Sequence, residues 1–176
     1  MDSFLEPKPT GLNKDAIYRI AEAVATQLDF QPGNNLHDLV TSMGGTIKYC
    51  DVWQQDSGDS GSTIVRRKND FDIFLGTNTS PERDNFTIAH ELGHYVLHYL
   101  IPQDKTPSDR PFRANRYGSD RTEWEANWFA AAFLMPKTAF SAEVRQQQGN
   151  LAAVAKHFAV SFGAVQIRAK ALKLSN

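Results

Sequence analysis

Cysteine is almost missing from this 176-residue chain. Cys50 stands alone, which excludes an intramolecular disulfide and a multi-cysteine zinc knuckle. A surplus of one charge is missing too: Lys and Arg total 19 against 20 Asp and Glu, a net charge of −1. No overall basic field therefore draws the chain to nucleic acid. No apolar run approaches the roughly 18 residues that a membrane span requires. The opening MDSFLEPKPT has neither the basic n-region nor the apolar h-region of an export signal, so a cytoplasmic chain without a membrane partner is expected. What is present is ordinary for a globular protein. Hydrophobic residues make up 41% and charged residues 22%, and a chain of this size buries roughly 70% of its unfolded surface in one core.

The pattern along the chain predicts an α+β protein, mainly helical with one small sheet. Residues 1–10, with Pro7 and Pro9 and no period, are expected to form a flexible arm. Residues 11–147 are expected to form the main domain. Ile17, Ile20, Ala21 and Val24 recur at helical spacing behind Asn13, a good cap. A short helix is predicted over Leu36–Met43. Thr46–Val52, Ser62–Val65 and Phe71–Leu75 alternate and are β-rich, suggesting about three antiparallel strands linked by the Asp56–Ser62 connection. Ser80-Pro81-Glu82 opens a helix predicted to run to about Leu100. Residues 102–121, with Pro102, Pro107 and Pro111, read as a long irregular loop. Helices follow over Thr122–Met135 and Phe140–Gln147, and residues 148–176 read as a C-terminal helix-turn-helix-like pair.

The chemistry lies in His90-Glu91-Leu92-Gly93-His94. Histidines four apart on a helix project from one face, so both imidazoles reach a single ion. Glu91 sits beside the first of them, where its carboxylate can take a proton from a water on that ion. Phe86, Ile88, Ala89, Val96 and Leu97 make the helix apolar, which argues against a merely solvated face. A catalytic zinc takes three protein ligands and leaves one position open, so a third is needed. Glu123 and Glu125 compete on the second strong helix. Two residues apart, they point about 200° from each other and cannot both face the ion. Glu123 shares a face with Asn127, Ala130 and Leu134, small near its start, which favours Glu123 and leaves Glu125 facing outward. Asn127, one turn on, is then placed to accept the far ring proton of a histidine ligand and orient it.

These residues resemble a known family. Phe86–His98, followed by Glu123-x-Glu125-Ala126-Asn127-x-Phe129-Ala130-x-x-Phe133-Leu134-Met135-Pro136, is similar to the ImmA/IrrE metallopeptidases over about residues 82–136. The resemblance implies a zincin-like core, Zn2+ held by His90, His94 and Glu123, and Glu91 as catalytic base. It also implies a protein substrate, a helix-turn-helix repressor of a stress response or mobile element. The Glu-x-x-x-Asn spacing resembles the corresponding element of thermolysin-like gluzincins, in keeping with Asn127 as a supporting residue. Tyr95, Tyr99, Arg113, Arg116 and Tyr117 are the candidates for a hydrogen-bond donor to the transition state.

Other residues receive quieter readings. His98 lies about 12 Å along the axis from His90 and cannot join it on one ion, so packing or support is expected. His37 and His157 are isolated, Cys50 reads as a small buried hydrophobe, and Trp53, Trp124 and Trp128 as packing residues. In Leu151–Arg168, Ala155 falls at a helix crossing, Val160 fills the turn, Ser161 caps the second helix and Val165 packs back. Lys156, Arg168, Lys170 and Lys173 stand there without an acid, which allows a weak DNA contact through 150–176. The second helix opens with Phe162-Gly163-Ala164, however, where a base reader carries polar residues. The function expected is a zinc-dependent endopeptidase acting on a protein regulator. The alternatives are a regulatory protein- or DNA-binding module with a structural or vestigial zinc, and a toxin-like protease held inactive by a partner.

Overall fold

A computed structural model describes residues 4–50, 62–114 and 120–174. Helix α1 (Lys14–Gln27) starts where the Asn13 side chain accepts the Ala16 N–H, and it buries Ile17, Ala21 and Ala25, spaced four apart. Helix α2 (Leu36–Ser42) is capped by Asn35 and ends at Gly44. Gly44 has φ +80°, and a Cβ there would stand 2.1 Å from the Asn69 carbonyl oxygen, so only glycine fits. Strands β1 (Gly45–Cys50), β2 (Ser62–Arg67) and β3 (Asp70–Gly76) follow. Helix α3 (Pro81–Gly93) has Ser80 as cap and Pro81 in its first turn, and acids Glu82 and Asp84 meet its positive end.

The sheet keeps the expected small size but is four-stranded and mixed, in the order β1-β3-β2-β4, with β4 formed by Phe112–Ala114. β2 is antiparallel to both β3 and β4, whereas β1 lies parallel to β3. Alternation reveals that a segment is a strand, not which neighbour it takes or in which direction. The 102–121 segment, expected to be irregular, therefore contributes an edge strand. Residues 4–10 are not a free arm either. Leu5 bridges Phe112, its N–H bonding Pro111 and its carbonyl receiving Arg113, while the Thr10 N–H reaches Glu125.

The helix begun at Pro81 does not stop at Leu100. It passes through a π-helical stretch, His94–Leu100, into α4 (Ile101–Lys105). The widened turns come just ahead of Pro102, whose ring and missing N–H an α-helical ladder would not accept. Helix α5 (Asp120–Leu134) then packs against α1 on one side and α3 on the other. Gly93 allows this approach: a Cβ there would lie 3.2 Å from the Cα and carbonyl oxygen of Ala126 and from Phe129 Cβ. The sheet covers the π-helical stretch, with Tyr95 stacked on Phe71 and Tyr99 against Phe112.

Helices α6 (Lys137–Gln146), α7 (Leu151–Phe158) and α8 (Phe162–Ala171) complete the chain. Between α7 and α8, Ala159 takes the left-handed conformation at φ 51°, Val160 is buried, and Ser161 caps α8 through the Ala164 N–H. Arg168 corrects an expectation. It is 1% exposed, donates to the Met135 carbonyl at 3.0 Å and pairs with Glu22 at 3.3 Å, so it belongs to the core and leaves the basic surface. Among the described residues no helix is long and apolar enough to cross a membrane.

Candidate metal centre

Where α3 gives way to the π-helical stretch, it faces the first turns of α5. His90 Nε2 and His94 Nε2 lie 3.1 Å apart. Glu123 places Oε2 3.2 Å from the first and Oε1 3.2 Å from the second. These three are the group among the described residues able to hold a metal ion. Gly93 is part of the reason, since it sits at the contact that brings α5 within reach.

Hydrogen bonding elsewhere decides what these atoms offer each other. His90 Nδ1 is 3.0 Å from Asn127 Oδ1, an acceptor, so the ring proton sits on Nδ1 and Nε2 is bare. Glu123 Oε1 is buried without a hydrogen-bond partner, with His94 Nε2 3.2 Å away. A bare His90 Nε2 and an unpartnered carboxylate oxygen thus converge with His94 Nε2 on one point. Four ligands arranged tetrahedrally around zinc at 2.0–2.1 Å stand roughly 3.3–3.4 Å apart. The 3.1–3.2 Å edges seen here match a triad that closes on such an ion. The site fits zinc by donor type, by spacing and by its orphaned oxygen.

The local field favours a cation as well. Burial would raise the Glu123 carboxyl, but its contacts with His90 and then His94 bring it down to about 2. Burial pulls His90 down, yet Glu123, the nearby Glu91 charge and Asn127 outweigh it and hold the imidazole above its ordinary value. The raised His90 value reports the negative charge of Glu123 and Glu91 beside the ring, and the lowered Glu123 value is the same contact seen from the carboxylate.

Glu91 is 2% exposed and accepts a 2.6 Å hydrogen bond from Thr63 Oγ1 on β2. Thr63 had no motif to announce it; only strand packing against α3 brings it there. Gly93 carried a weaker signal, a glycine inside an apolar helix. Glu125, expected to face outward, is fully buried behind the site. It receives the Thr10 N–H, Arg121 and His98, and these hold it below the usual carboxylate range against its own burial. On a helix squeezed between α1 and α3, pointing away from one neighbour means pointing toward another. His98 is itself buried, and burial together with His94 pushes it down to about 4, so the ring is neutral.

The tyrosines considered as donors face the other way. Tyr95 accepts the Asn69 N–H and stacks on Phe71, and Tyr99 stacks on Tyr95. Arg113 lies on β4, while Arg116, Tyr117 and Trp53 fall outside the described residues. Trp124, expected to pack, is 55% exposed on the turn that carries Glu123. His37 touches the Tyr49 hydroxyl, His157 lies 3.6 Å from Glu143, and Cys50 is half-buried on β1.

Residues 49–170 match the model of a peptidase family described as the IrrE N-terminal-like domain. The chain is 31% identical over 135 residues to the radiation response metalloprotease IrrE of Deinococcus deserti, covering 74% of this chain and 43% of that one. It is 29% identical over 125 residues to the protein of the same name from Deinococcus radiodurans, covering 68% and 34%. The chain thus spans less than half the length of these relatives. A transcriptional regulator of Mycobacterium tuberculosis shares the fold at TM-score 0.60 and 19% identity, over 86% of this chain and 45% of that one.

Proposed function

This chain belongs to the IrrE N-terminal-like family of metallopeptidases, and on that premise we propose that it is a zinc-dependent endopeptidase whose substrate is a protein regulator. The observation that carries this reading is the meeting of three potential ligand groups, from His90, His94 and Glu123, at 3.1–3.2 Å. These residues hold the metal, and Asn127 orients His90 from behind. Zinc in such a setting supplies Lewis acidity and lowers the pKa of a water in its open position to about 7.

The chain's own residues do the rest. Glu91 takes a proton from the attacking water and returns it to the leaving amine. Thr63 donates to Glu91 Oε2, which holds the carboxylate in one rotamer and leaves Oε1 to receive that proton. The low exposure of Glu91 and His94 keeps competing water away from the transfer. A helix-turn-helix repressor is the substrate class that the sequence resemblance implies, and we adopt it as the first to test. A reading in which residues 150–176 bind DNA loses support with Arg168 turned inward, since Lys156, Lys170 and Lys173 alone remain as candidate phosphate contacts.

The test is incubation of the zinc-loaded chain with repressors encoded beside its gene, followed by mass spectrometry of the fragments. Cleavage is expected from the wild type and none from Glu91→Gln. Undiminished cleavage by Glu91→Gln, or after complete chelation of the metal, would overturn the proposal.

A further inference from the structure

Behind the ligand set lies a buried chain of polar groups. His94 Nδ1 faces His98 Nδ1 at 3.0 Å, and His98 Nε2 faces Glu125 Oε2 at 3.1 Å. Both side chains of the second pair are fully buried. We propose that His98 is a positioning residue for the metal centre: anchored by Glu125, it fixes the ring proton of His94 on Nδ1 and leaves the Nε2 lone pair aimed at the ion. The inference rests on the metal-site reading above.

Two ring nitrogens 3.0 Å apart need one proton between them, because two lone pairs or two N–H groups would repel; only at the His90–His94 pair would a bound cation take the place of that proton. The far end of His98 decides which ring supplies it. An ionised carboxylate only accepts, so His98 Nε2 carries a proton toward Glu125. Glu125 has none to offer, since the Thr10 N–H reaches Oε2 at 2.9 Å and Arg121 Nε reaches Oε1 at 2.9 Å, both donors that favour the ionised form. With its ring proton spent on Glu125, His98 presents a bare Nδ1 to His94. His94 must donate from Nδ1, and its other nitrogen, Nε2, is the one that meets His90 and Glu123. The two histidines are thus set by different devices. An amide serves His90 on the wetter side, and an imidazole–carboxylate pair serves His94 on the dry side, where water cannot supply a stray donor.

The arrangement also accounts for Glu125 itself. A fully buried carboxylate is expensive to hold, and an apolar pair would fill the same volume at lower cost. Orienting a metal ligand is a return that apolar packing cannot give.

The experiment uses the full chain and zinc itself, with no peptidase assay. A two-bond 1H–15N spectrum of the metal-free protein is expected to show His94 protonated on Nδ1 and His98 on Nε2. In competition with a chromogenic chelator, His98→Leu is expected to weaken zinc binding by about 10–100-fold. His98→Asn, whose Oδ1 replaces the Nδ1 acceptor, is expected to recover most of that loss. Melting temperatures of the metal-free variants show whether a loss is merely structural. Equal zinc affinity in His98→Leu and wild type, equal losses in the Leu and Asn variants, or a His94 proton on Nε2 would each overturn the assignment. Should His98→Leu fail to fold, the wild-type spectrum and the Asn variant decide: a tenfold or greater loss in His98→Asn counts against it. Absence of zinc binding by the wild type overturns the metal reading and this inference together. Normal wild-type binding with an unaffected His98→Leu overturns this one alone.

Discussion

Two buried polar clusters in this protein have similar materials and opposite logic. At the α8–α1 contact, Arg168 gives its N–H groups to the Met135 carbonyl and Glu22 and lies over the Tyr18 ring. Donor meets acceptor and cation meets anion. Between α3 and α5, His90, His94 and Glu123 turn three potential metal-ligating groups on one point, and Glu123 Oε1 finds no hydrogen-bond partner. The first cluster is held by its own donor–acceptor pairs, with Arg168 Nη1 alone left over, and needs only to stay folded. The second leaves a buried oxygen unanswered, and in the proposed reading a divalent cation completes it. Mismatch, more than burial or charge, separates a site from a strut.

That contrast can be broken most forcefully at the mismatched cluster. Removing the metal with a chelator is expected to abolish cleavage while circular dichroism keeps the helical signal, with activity restored by zinc. Glu91→Gln is expected to lower kcat by about 10²–10⁴-fold at unchanged zinc content, measured by metal analysis beside the cleavage rate. Thr63→Val removes the 2.6 Å bond to Glu91 and is expected to lower kcat about tenfold with little change in KM, while Thr63→Ser restores it. An unaltered kcat in Thr63→Val would mean that the strand does not set the rotamer of Glu91.

The matched cluster should behave differently. Arg168→Met is expected to cost about 1–3 kcal/mol in denaturant unfolding, without touching zinc affinity. Gly93→Ala lies between the two regimes. It adds a methyl group against Ala126 and Phe129, so a loss of about 1–3 kcal/mol should come with weaker zinc binding as α5 is pushed away. The smallest effect is expected on the sheet. Asp72 is held below its ordinary value by Arg66, against the opposing pull of burial and with help from Lys48. Its contribution is therefore full above the usual aspartate value of about 3.9 and is lost as pH falls through the lower folded value. Asp72→Asn should flatten that acid limb in a stability–pH series and leave the metal centre alone.

Much of this was legible in the residues. The caps Asn13, Ser80 and Ser161 mark helix starts where the structure has them, because capping is a local bond between a side chain and a nearby N–H. The choice of Glu123 to face His90 and His94 also followed from local geometry, since residues two apart on a helix diverge. Glu125 shows where such reasoning stops. Its direction away from the ion was readable, but its destination, the buried His98 and the Thr10 N–H, depends on a helix and a segment remote in sequence. Arg168 looks like surface charge by composition and is core by packing. Thr63, 28 residues from Glu91, had no pattern to find. β1 alternates like its neighbours, and its parallel partnership with β3 is set by chain routing that alternation does not encode.

By itself, then, the sequence determined the α+β class, the helix starts behind Asn13, Ser80 and Ser161, the paired imidazoles and the face that turns Glu123 toward them. All of these depend on the period of a helix or on bonds spanning a few residues. Tertiary structure alone decided that β4 and Leu5 join the sheet edge, that Gly93 lies at the close contact of α3 with α5, and that Thr63, His98 and Glu125 stand around the centre. Those contacts join residues far apart in the chain, and only the burial of a shared core brings such partners within hydrogen-bonding distance.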